Sequence, residues 1–115
     1  IKNDIEMALY AYEKIKNNKL FQPLHKPELS IFCFKYISKL DNISDDLLNK
    51  KIIEGIEKDG RIFLSGTKIN NENVLRINCI NHRRKREDID FLIKVLEELG
   101  SKAEKELSNL SLKNF

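Results

Sequence analysis

Arg76 is the residue whose type and position most directly suggest chemistry. It stands in the middle of VLRINCI, residues 74–80, where the other side chains are apolar or neutral. A guanidinium in such a strand must pair with a buried acid, reach solvent at the sheet's edge, or bind a carboxylate ligand, because unpaired burial is costly. Its planar fork can bind a carboxylate with two hydrogen bonds. From periodicity alone, an ion pair or an exposed position is the commoner outcome, and Lys35 in the run IFCFKYI raises the same question.

A basic cluster is the second candidate, formed by four consecutive cations: Arg83, Arg84, Lys85 and Arg86. These side chains could bind nucleic-acid phosphates, or they could belong to a solvated loop between a strand and a helix. The net charge is only +3, with 21 basic and 18 acidic residues, so the basic character is local. The cluster also lacks interleaved aromatic residues for base stacking. We therefore favour the solvated loop and expect no nucleic-acid partner.

Other kinds of active site find no support in the sequence. His25 and His82 lie far apart, and neither has a cysteine or acid at metal-ligand spacing. The four glycines form no phosphate-binding loop. No serine or cysteine stands at a strand-to-helix elbow beside an obvious base. We expect no metal and no self-contained active site.

The two cysteines and the hydropathy pattern indicate where in the cell the protein is expected to be. Cys33 and Cys79 each lie in an apolar run, where a thiol usually acts as a small buried hydrophobe. Pairing between them stays open if adjacent strands bring them together. No apolar stretch approaches the ~20 residues that cross a bilayer, and no signal peptide is visible. We expect a cytoplasmic protein without a membrane partner.

Apolar residues at three- and four-residue spacing predict three helices: residues 2–18, 45–59, and about Arg86 to Gly100. Ser44 is the expected N-cap of the second helix, and Gly60 its C-cap. Gly100 is the expected end of the third. Residues 101–112 either continue as a helical segment or form a tail.

Runs of β-branched and aromatic residues predict strands over residues 30–37, 61–67 and 74–80, and the last two form a hairpin. Two prolines make residues 20–27 an edge strand or an extended connector. Alternation along the last strand separates Leu75, Ile77 and Cys79 from Val74, Arg76, Asn78 and Ile80. The order α-β-β-α-β-β-α predicts an α+β domain over residues 1–115, with a mainly antiparallel sheet of three to four strands and helices on one face.

Motifs in a fixed order connect these elements to a known family. They are Phe34-Lys35-Tyr36, Leu47-Leu48-Asn49, Gly60 to Ser65 with Thr67, Leu75-Arg76, Asn81, and Asp88-Ile89-Asp90. Together they resemble the C-terminal small domain of pyridoxal-phosphate-dependent group II amino-acid decarboxylases, which act on glutamate, aromatic amino acids, histidine or diaminobutyrate. The match covers about residues 28–100, the small-domain core. The helix at residues 1–18 fits the segment that links the large and small domains.

The resemblance implies that the chain is a C-terminal fragment of a longer fold-type-I enzyme, a carboxy-lyase acting as a homodimer. Pyridoxal phosphate would be attached to a lysine of the large domain, upstream of Ile1, so the fragment alone would hold no catalytic residue. The small domain would help close the active site over an amino-acid substrate whose identity stays open. Arg76 matches the arginine that engages a substrate carboxylate in the glutamate enzymes of the family.

Two departures from the family pattern accompany the resemblance. Lys35 stands where the family has arginine, and residues 81–85 replace an Asn-Pro-x-Thr-Thr turn. The cap of the third helix must therefore come from another residue, with Asn81 or Asp88 as candidates. The alternative to an enzyme fragment is a free-standing α+β module that binds a ligand or RNA.

Overall fold

The computed structural model describes residues 2–79 and 85–113. Over these residues its elements are α1 (Lys2–Lys16), β1 (Phe21–Pro23), β2 (Ile31–Tyr36), α2 (Asp45–Asp59), β3 (Ser65–Ile69), β4 (Glu72–Asn78) and α3 (Arg86–Lys113). This is the predicted order, and the α+β fold class is confirmed.

The four strands form one sheet in the order β1-β2-β4-β3, and every neighbouring pair is antiparallel. β4 therefore lies between β2 and β3. Cys33 of β2 and Ser65 of β3 are the direct cross-strand neighbours of Arg76. The strand that carries Arg76 is held on both sides.

The β3–β4 hairpin is longer than predicted at its turn. Ile69 pairs with Glu72, so the connection is the two residues Asn70 and Asn71, with φ of 52° and 67°. Positive φ at both central residues is the mark of a type I′ turn, which asparagine tolerates and which matches strand twist. The predicted end of β3 at residue 67 and start of β4 at residue 74 were therefore wrong, because the tight turn extends the ladder to its last pair. The predicted start of β3 at residue 61 was also wrong, since the strand begins at Ser65. Ile80, the predicted end of β4, lies outside the described residues.

The hydrophobic core lies between one face of the sheet and the three helices. The sheet contributes Phe32, Phe34, Tyr36, Leu75 and Ile77, and the helices contribute the stripes Ala8, Ala11 and Ile15, then Leu48, Ile52 and Ile56, then Ile89, Leu92 and Leu96. These are the three- and four-residue spacings that predicted the helices. All three helices pack on the same face, so the other face of the sheet is not covered by a described helix.

Both caps of α2 are where the sequence predicted them. The Ser44 hydroxyl accepts a hydrogen bond from the Leu47 N–H at 3.3 Å. Gly60 adopts the left-handed conformation, with φ 76°, and its N–H donates to the Ile56 carbonyl at 3.1 Å. Few residues other than glycine adopt this conformation without strain, so Gly60 ends the helix.

The predicted end of α3 at Gly100 was wrong. α3 runs without a break to Lys113, and Gly100 is buried inside it. A Cβ at this position would overlap the ring of Tyr36. The glycine therefore permits close packing of helix on strand, which overrides its weak helix propensity.

The start of α3 bears out one of the two predicted caps. The Asp88 carboxylate accepts a hydrogen bond from the Lys85 N–H at 2.8 Å, immediately before the helix begins. An acid in the first turn that reaches back to this N–H is half of a capping box. Asn81, the other candidate, lies outside the described residues.

The thiols of Cys33 and Cys79 are both buried, as predicted. Cys79 belongs to the core on the helix side, whereas Cys33 is absent from that cluster and lies on the opposite face of β2. Within the described part of the chain, no helix is long and apolar enough to span a membrane.

Candidate functional site

The face of the sheet opposite the helices, called the open face below, carries the candidate site. Strand alternation and register place these residues on it: Gln22, Cys33, Lys35, Ser65, Thr67, Val74, Arg76 and Asn78. The alternate positions on β2 and β4 belong to the core. The predicted division of β4 into two faces is therefore confirmed for the described residues.

Arg76 is half-buried at the centre of the open face. Four side-chain ion contacts occur among the described residues, and none of them involves Arg76. Its neighbour Ser65 donates from its hydroxyl to the Arg76 carbonyl at 3.5 Å. Arg76 therefore forms no buried ion pair with a described residue, which was one of the three predicted outcomes. Its guanidinium faces a surface where an anion can approach.

The charge of Arg76 acts on its cross-strand neighbour. Burial raises the pKa of the Cys33 thiol, and the positive charge of Arg76 opposes this rise. At neutral pH the raised pKa keeps the thiol neutral, so it supplies no counter-charge. Lys35 adds a second cation to the same face, which makes the centre of the open face electropositive.

His25 completes the hydrogen bonding of β2 beside this site, a role that sequence reasoning missed. The Leu24 N–H donates to the Cys33 carbonyl at 2.9 Å, and the Cys33 N–H donates to His25 Nε2 at 3.2 Å. The imidazole thus stands in for a strand carbonyl where β1 ends. Since Nε2 accepts, Nδ1 must carry the proton, and it donates to the Lys26 carbonyl at 2.8 Å.

Asn49 fixes the other end of β2 to α2 and was also missed as a structural residue. Its Oδ1 accepts from the Tyr36 N–H at 2.9 Å, while its Nδ2 donates to the carbonyls of Tyr36 at 3.0 Å and Asp45 at 2.8 Å. The side chain is fully buried. Its spacing from Ile52 and Ile56 puts a polar residue on an apolar stripe, which is the signal that could have found it.

Asp46 fastens the hairpin that carries Arg76 to the start of α2. Its Oδ1 accepts from the backbone N–H of Asn73 at 2.6 Å and from the Asn73 side-chain amide at 3.0 Å. The backbone hydrogen bond is the main reason why the pKa of the Asp46 carboxyl lies below its usual value. The site therefore rests on a hairpin anchored at its turn end.

The basic cluster is partly described. Arg83 and Arg84 lie outside the described residues, whereas Lys85 and Arg86 are exposed. The Arg86 guanidinium lies 5.0 Å from the centre of the Tyr10 ring, and the Tyr10 hydroxyl donates to Asp90 at 2.7 Å. Arg86 thus joins α3 to α1 through a cation–π contact. This contact gives Arg86 a structural role that needs no nucleic-acid partner.

A cofactor or metal finds no site among the described residues. No group of three or more histidine, cysteine or acidic side chains there is placed to hold a metal ion. Every lysine whose side chain is described is exposed or half-exposed, so none is enclosed as a cofactor-binding lysine would be. The described residues therefore do not form a pyridoxal phosphate site.

The sequence of this chain is similar to parts of curated decarboxylases. No protein-family model matches the chain. A tryptophan decarboxylase of Camptotheca acuminata is 30% identical over 78 residues, which are 66% of this chain and 16% of that protein. A probable L-tyrosine/L-aspartate decarboxylase of Methanosphaera stadtmanae is 42% identical over 48 residues, 42% of this chain and 11% of that protein.

Solved structures share the fold. The glutamate decarboxylase domain of a diaminobutyrate-pyruvate transaminase and L-2,4-diaminobutyrate decarboxylase from Vibrio parahaemolyticus superposes with a TM-score of 0.79 and 21% identity. The match covers 88% of this chain and 21% of that one. Oryza sativa TDC, solved with PLP, gives a TM-score of 0.77 and 16% identity over 89% of this chain and 22% of that one.

The fold is thus that of a domain which makes up about a fifth of these longer decarboxylase chains. The homologues of this chain are group II pyridoxal-phosphate-dependent decarboxylases, and the predicted resemblance is confirmed. The chain spans only 11–16% of the curated relatives compared above.

Proposed function

We propose that this chain is the C-terminal domain of a pyridoxal-phosphate-dependent amino-acid decarboxylase, and that Arg76 binds a substrate carboxylate. The observation that carries the proposal is the half-buried guanidinium on the open face, which makes no ion pair with a described residue. An arginine in this position can bind a carboxylate bidentately at modest desolvation cost. The decarboxylase homologues supply the reaction class.

The open face is the side on which the large domain of the same polypeptide would lie, since the helices occupy the other side. That domain would hold the cofactor, because the residues described here do not. When bound, pyridoxal phosphate supplies the electron sink that accepts the electrons left by departure of CO₂. The part of this chain is to orient the substrate through Arg76 and to close the site against water. We propose further that the full-length enzyme is a homodimer and that it is cytoplasmic.

The elements around Arg76 are suited to holding a substrate in one orientation. Ser65 and Cys33 flank the arginine through backbone pairing, so its Cα cannot shift without breaking two strand ladders. Asn49 and Asp46 tie β2 and the hairpin to α2. Positioning of this kind lowers the entropic part of a reaction barrier.

The test uses the full-length protein loaded with pyridoxal phosphate. CO₂ release from a panel of amino acids identifies the substrate, and kcat/KM is then compared between wild type and Arg76→Ala. We expect the substitution to lower kcat/KM at least tenfold, about 1.4 kcal/mol or more of transition-state stabilisation, without lowering the unfolding temperature.

Arg61→Ala is the matched control for Arg76→Ala. Arg61 is an exposed arginine bonded to Asp59 and Glu98 on the helix side, away from the open face. Its removal should leave kcat/KM unchanged. Equal activity in wild type and Arg76→Ala would sink the carboxylate role, and a wild-type protein that releases no CO₂ from any amino acid would sink the proposed reaction.

A further inference from the structure

His25 is a titratable side chain that takes the place of a backbone group in the sheet. Pro23 pairs with Phe34, so the next antiparallel pair beyond the end of β1 is Leu24 with Cys33. A pair of this kind can exchange two backbone hydrogen bonds. The Leu24 N–H makes one of them, to the Cys33 carbonyl at 2.9 Å, whereas the Cys33 N–H donates to His25 Nε2 at 3.2 Å. An imidazole therefore supplies one acceptor of the ladder beside β2.

This hydrogen bond requires a neutral imidazole. His25 Nδ1 donates to the Lys26 carbonyl at 2.8 Å, so a second proton would have to bind Nε2. A doubly protonated ring has two donors and no acceptor. The N–H of Cys33, a buried residue, would then face another N–H. Leaving a buried donor unpaired costs more than the hydrogen bond itself contributes, so protonation works against this arrangement.

The surroundings of His25 offer its protonated form no compensating ion pair. The titratable and charged side chains on the elements around it are Lys26 and Glu28 of its own segment, Cys33 and Lys35 of β2, Arg76 of β4 and Tyr12 of α1. None of the ion pairs among the described residues includes His25, and Glu28, the acid nearest to it in sequence, is not paired with it. The bond to the Cys33 N–H is therefore lost on protonation without a carboxylate contact in exchange.

Cys33 connects this change to the proposed substrate-binding residue. Cys33 lies between the segment of His25 on one side and Arg76, its direct partner in β4, on the other. Two strand spacings separate His25 from Arg76, about 10 Å. A charge on His25 is largely screened at that distance, because the Debye length is about 8 Å at physiological ionic strength. The effect of protonation therefore passes through the backbone of Cys33.

We propose that His25 is a positioning residue for Arg76, and that acid disengages it. In its neutral form it holds residues 24–28 against β2. When it is protonated, this segment is released, β2 is held at Cys33 from the β4 side alone, and the substrate carboxylate binds less well at Arg76. The inference rests on the proposed function of Arg76 and adds a dependence on pH to it.

The first test is hydrogen exchange measured by mass spectrometry on the full-length, cofactor-loaded protein at about pH 8 and about pH 5.5, between which imidazoles change charge. After correction for the intrinsic exchange rate, protection of the Cys33 amide should fall at least tenfold in wild type at the lower pH. His25→Gln places an amide oxygen near the position of Nε2 and accepts at either pH, so its protection should change less than twofold. His25→Leu should lack the protection at both values.

The second test is the pH profile of kcat/KM, which a merely structural histidine would not alter. The ratio of kcat/KM in His25→Gln to that in wild type should rise about three- to tenfold from about pH 8 to about pH 5.5, the factor that one hydrogen bond is worth. Taking this ratio removes every ionisation that the two proteins share. His25→Leu should be slower than His25→Gln at both values.

Lys26→Gln is the matched control, because Lys26 bonds His25 through its carbonyl and its side chain is exposed. This variant should keep the wild-type pH dependence in both tests. Protection of Cys33 in wild type that is equal at the two pH values overturns the inference, and so does a fall of the same size in His25→Gln. A constant kcat/KM ratio also overturns it. These outcomes leave decarboxylation intact, whereas a wild type inert toward every amino acid overturns the proposed function itself.

Discussion

A buried asparagine shows at the residue scale how much of the site depends on single polar side chains. Asn49 has no exposed surface and bonds both backbone groups of Tyr36. These groups lie at the end of β2, beyond Phe34 and Leu75, the last pair of the ladder between β2 and β4. Without the amide, a donor and an acceptor inside the protein would have no partner, and this costs more than the hydrogen bonds contribute.

We predict that Asn49→Leu lowers the free energy of unfolding by about 2–4 kcal/mol, because two backbone groups lose their partners. Urea denaturation followed by circular dichroism measures the change. Lys50→Leu, on the exposed side of the same helix, is the control and should alter stability by less than about 0.5 kcal/mol. A loss below about 1 kcal/mol for Asn49→Leu would mean that water replaces the amide.

At this scale the sequence predicted on which face of the sheet a residue lies, but not which residues lie beside it. Alternation in VLRINCI placed Arg76 opposite Leu75 and Ile77, because the side-chain period of a strand is independent of its partners. The neighbours Cys33 and Ser65 depend on register, which packing of the whole sheet sets. His25 illustrates the same limit, since its bond to the Cys33 N–H is invisible in local sequence.

At the scale of elements, two helical glycines show why boundaries are hard to predict. A glycine that follows an apolar stripe marks a helix end at Gly60 but close packing at Gly100. Both have the same local signal, and only the place of the Tyr36 ring distinguishes them. The caps of α2 were predictable because their hydrogen bonds join residues within one turn, whereas the length of α3 depends on a strand far away in sequence.

We predict opposite effects for one substitution in two helices. Gly100→Ala should destabilise the chain by about 1–3 kcal/mol, because its methyl group overlaps the Tyr36 ring. Gly55→Ala should stabilise it by about 0.5–1 kcal/mol, since the new Cβ would lie 3.7 Å from Leu99 in ordinary contact and alanine favours the helix. Unfolding temperatures of the two variants test both signs. A stabilised Gly100→Ala would show that the helix shifts to make room.

The whole molecule is held together by a core to which α1 contributes. Ala8, Ala11 and Ile15 of α1 are almost completely buried, and the Tyr12 ring meets Phe32 edge-on at 5.7 Å. The resemblance predicts a linking role for residues 1–18, and that role stays a prediction. We propose that this helix is also part of the folding unit, because one hydrophobic cluster runs from Ala8 to Ala103.

Two substitutions on α1 test that proposal. Ala11→Glu places a carboxylate at a position without exposed surface and should lower stability by about 3 kcal/mol or more. Leu9→Glu, at a position 49% exposed, should change stability by less than about 1 kcal/mol. Thermal unfolding of the 115-residue chain measures both. Equal stability in the two variants would contradict a structural part for α1 and leave it as a linker alone.

The two-residue turn at Asn70 and Asn71 has a kinetic consequence for the strand that carries Arg76. β3 and β4 are joined by the shortest connection, so their ladder can close within microseconds. α2 and β3 lie between β2 and β4 in the sequence, and closing this longer loop costs more entropy. We therefore expect the hairpin to fold first. Until β2 arrives, the edge of β4 beside Arg76 stays open to water, and during that interval it is the place where a folding chain is most able to pair with another.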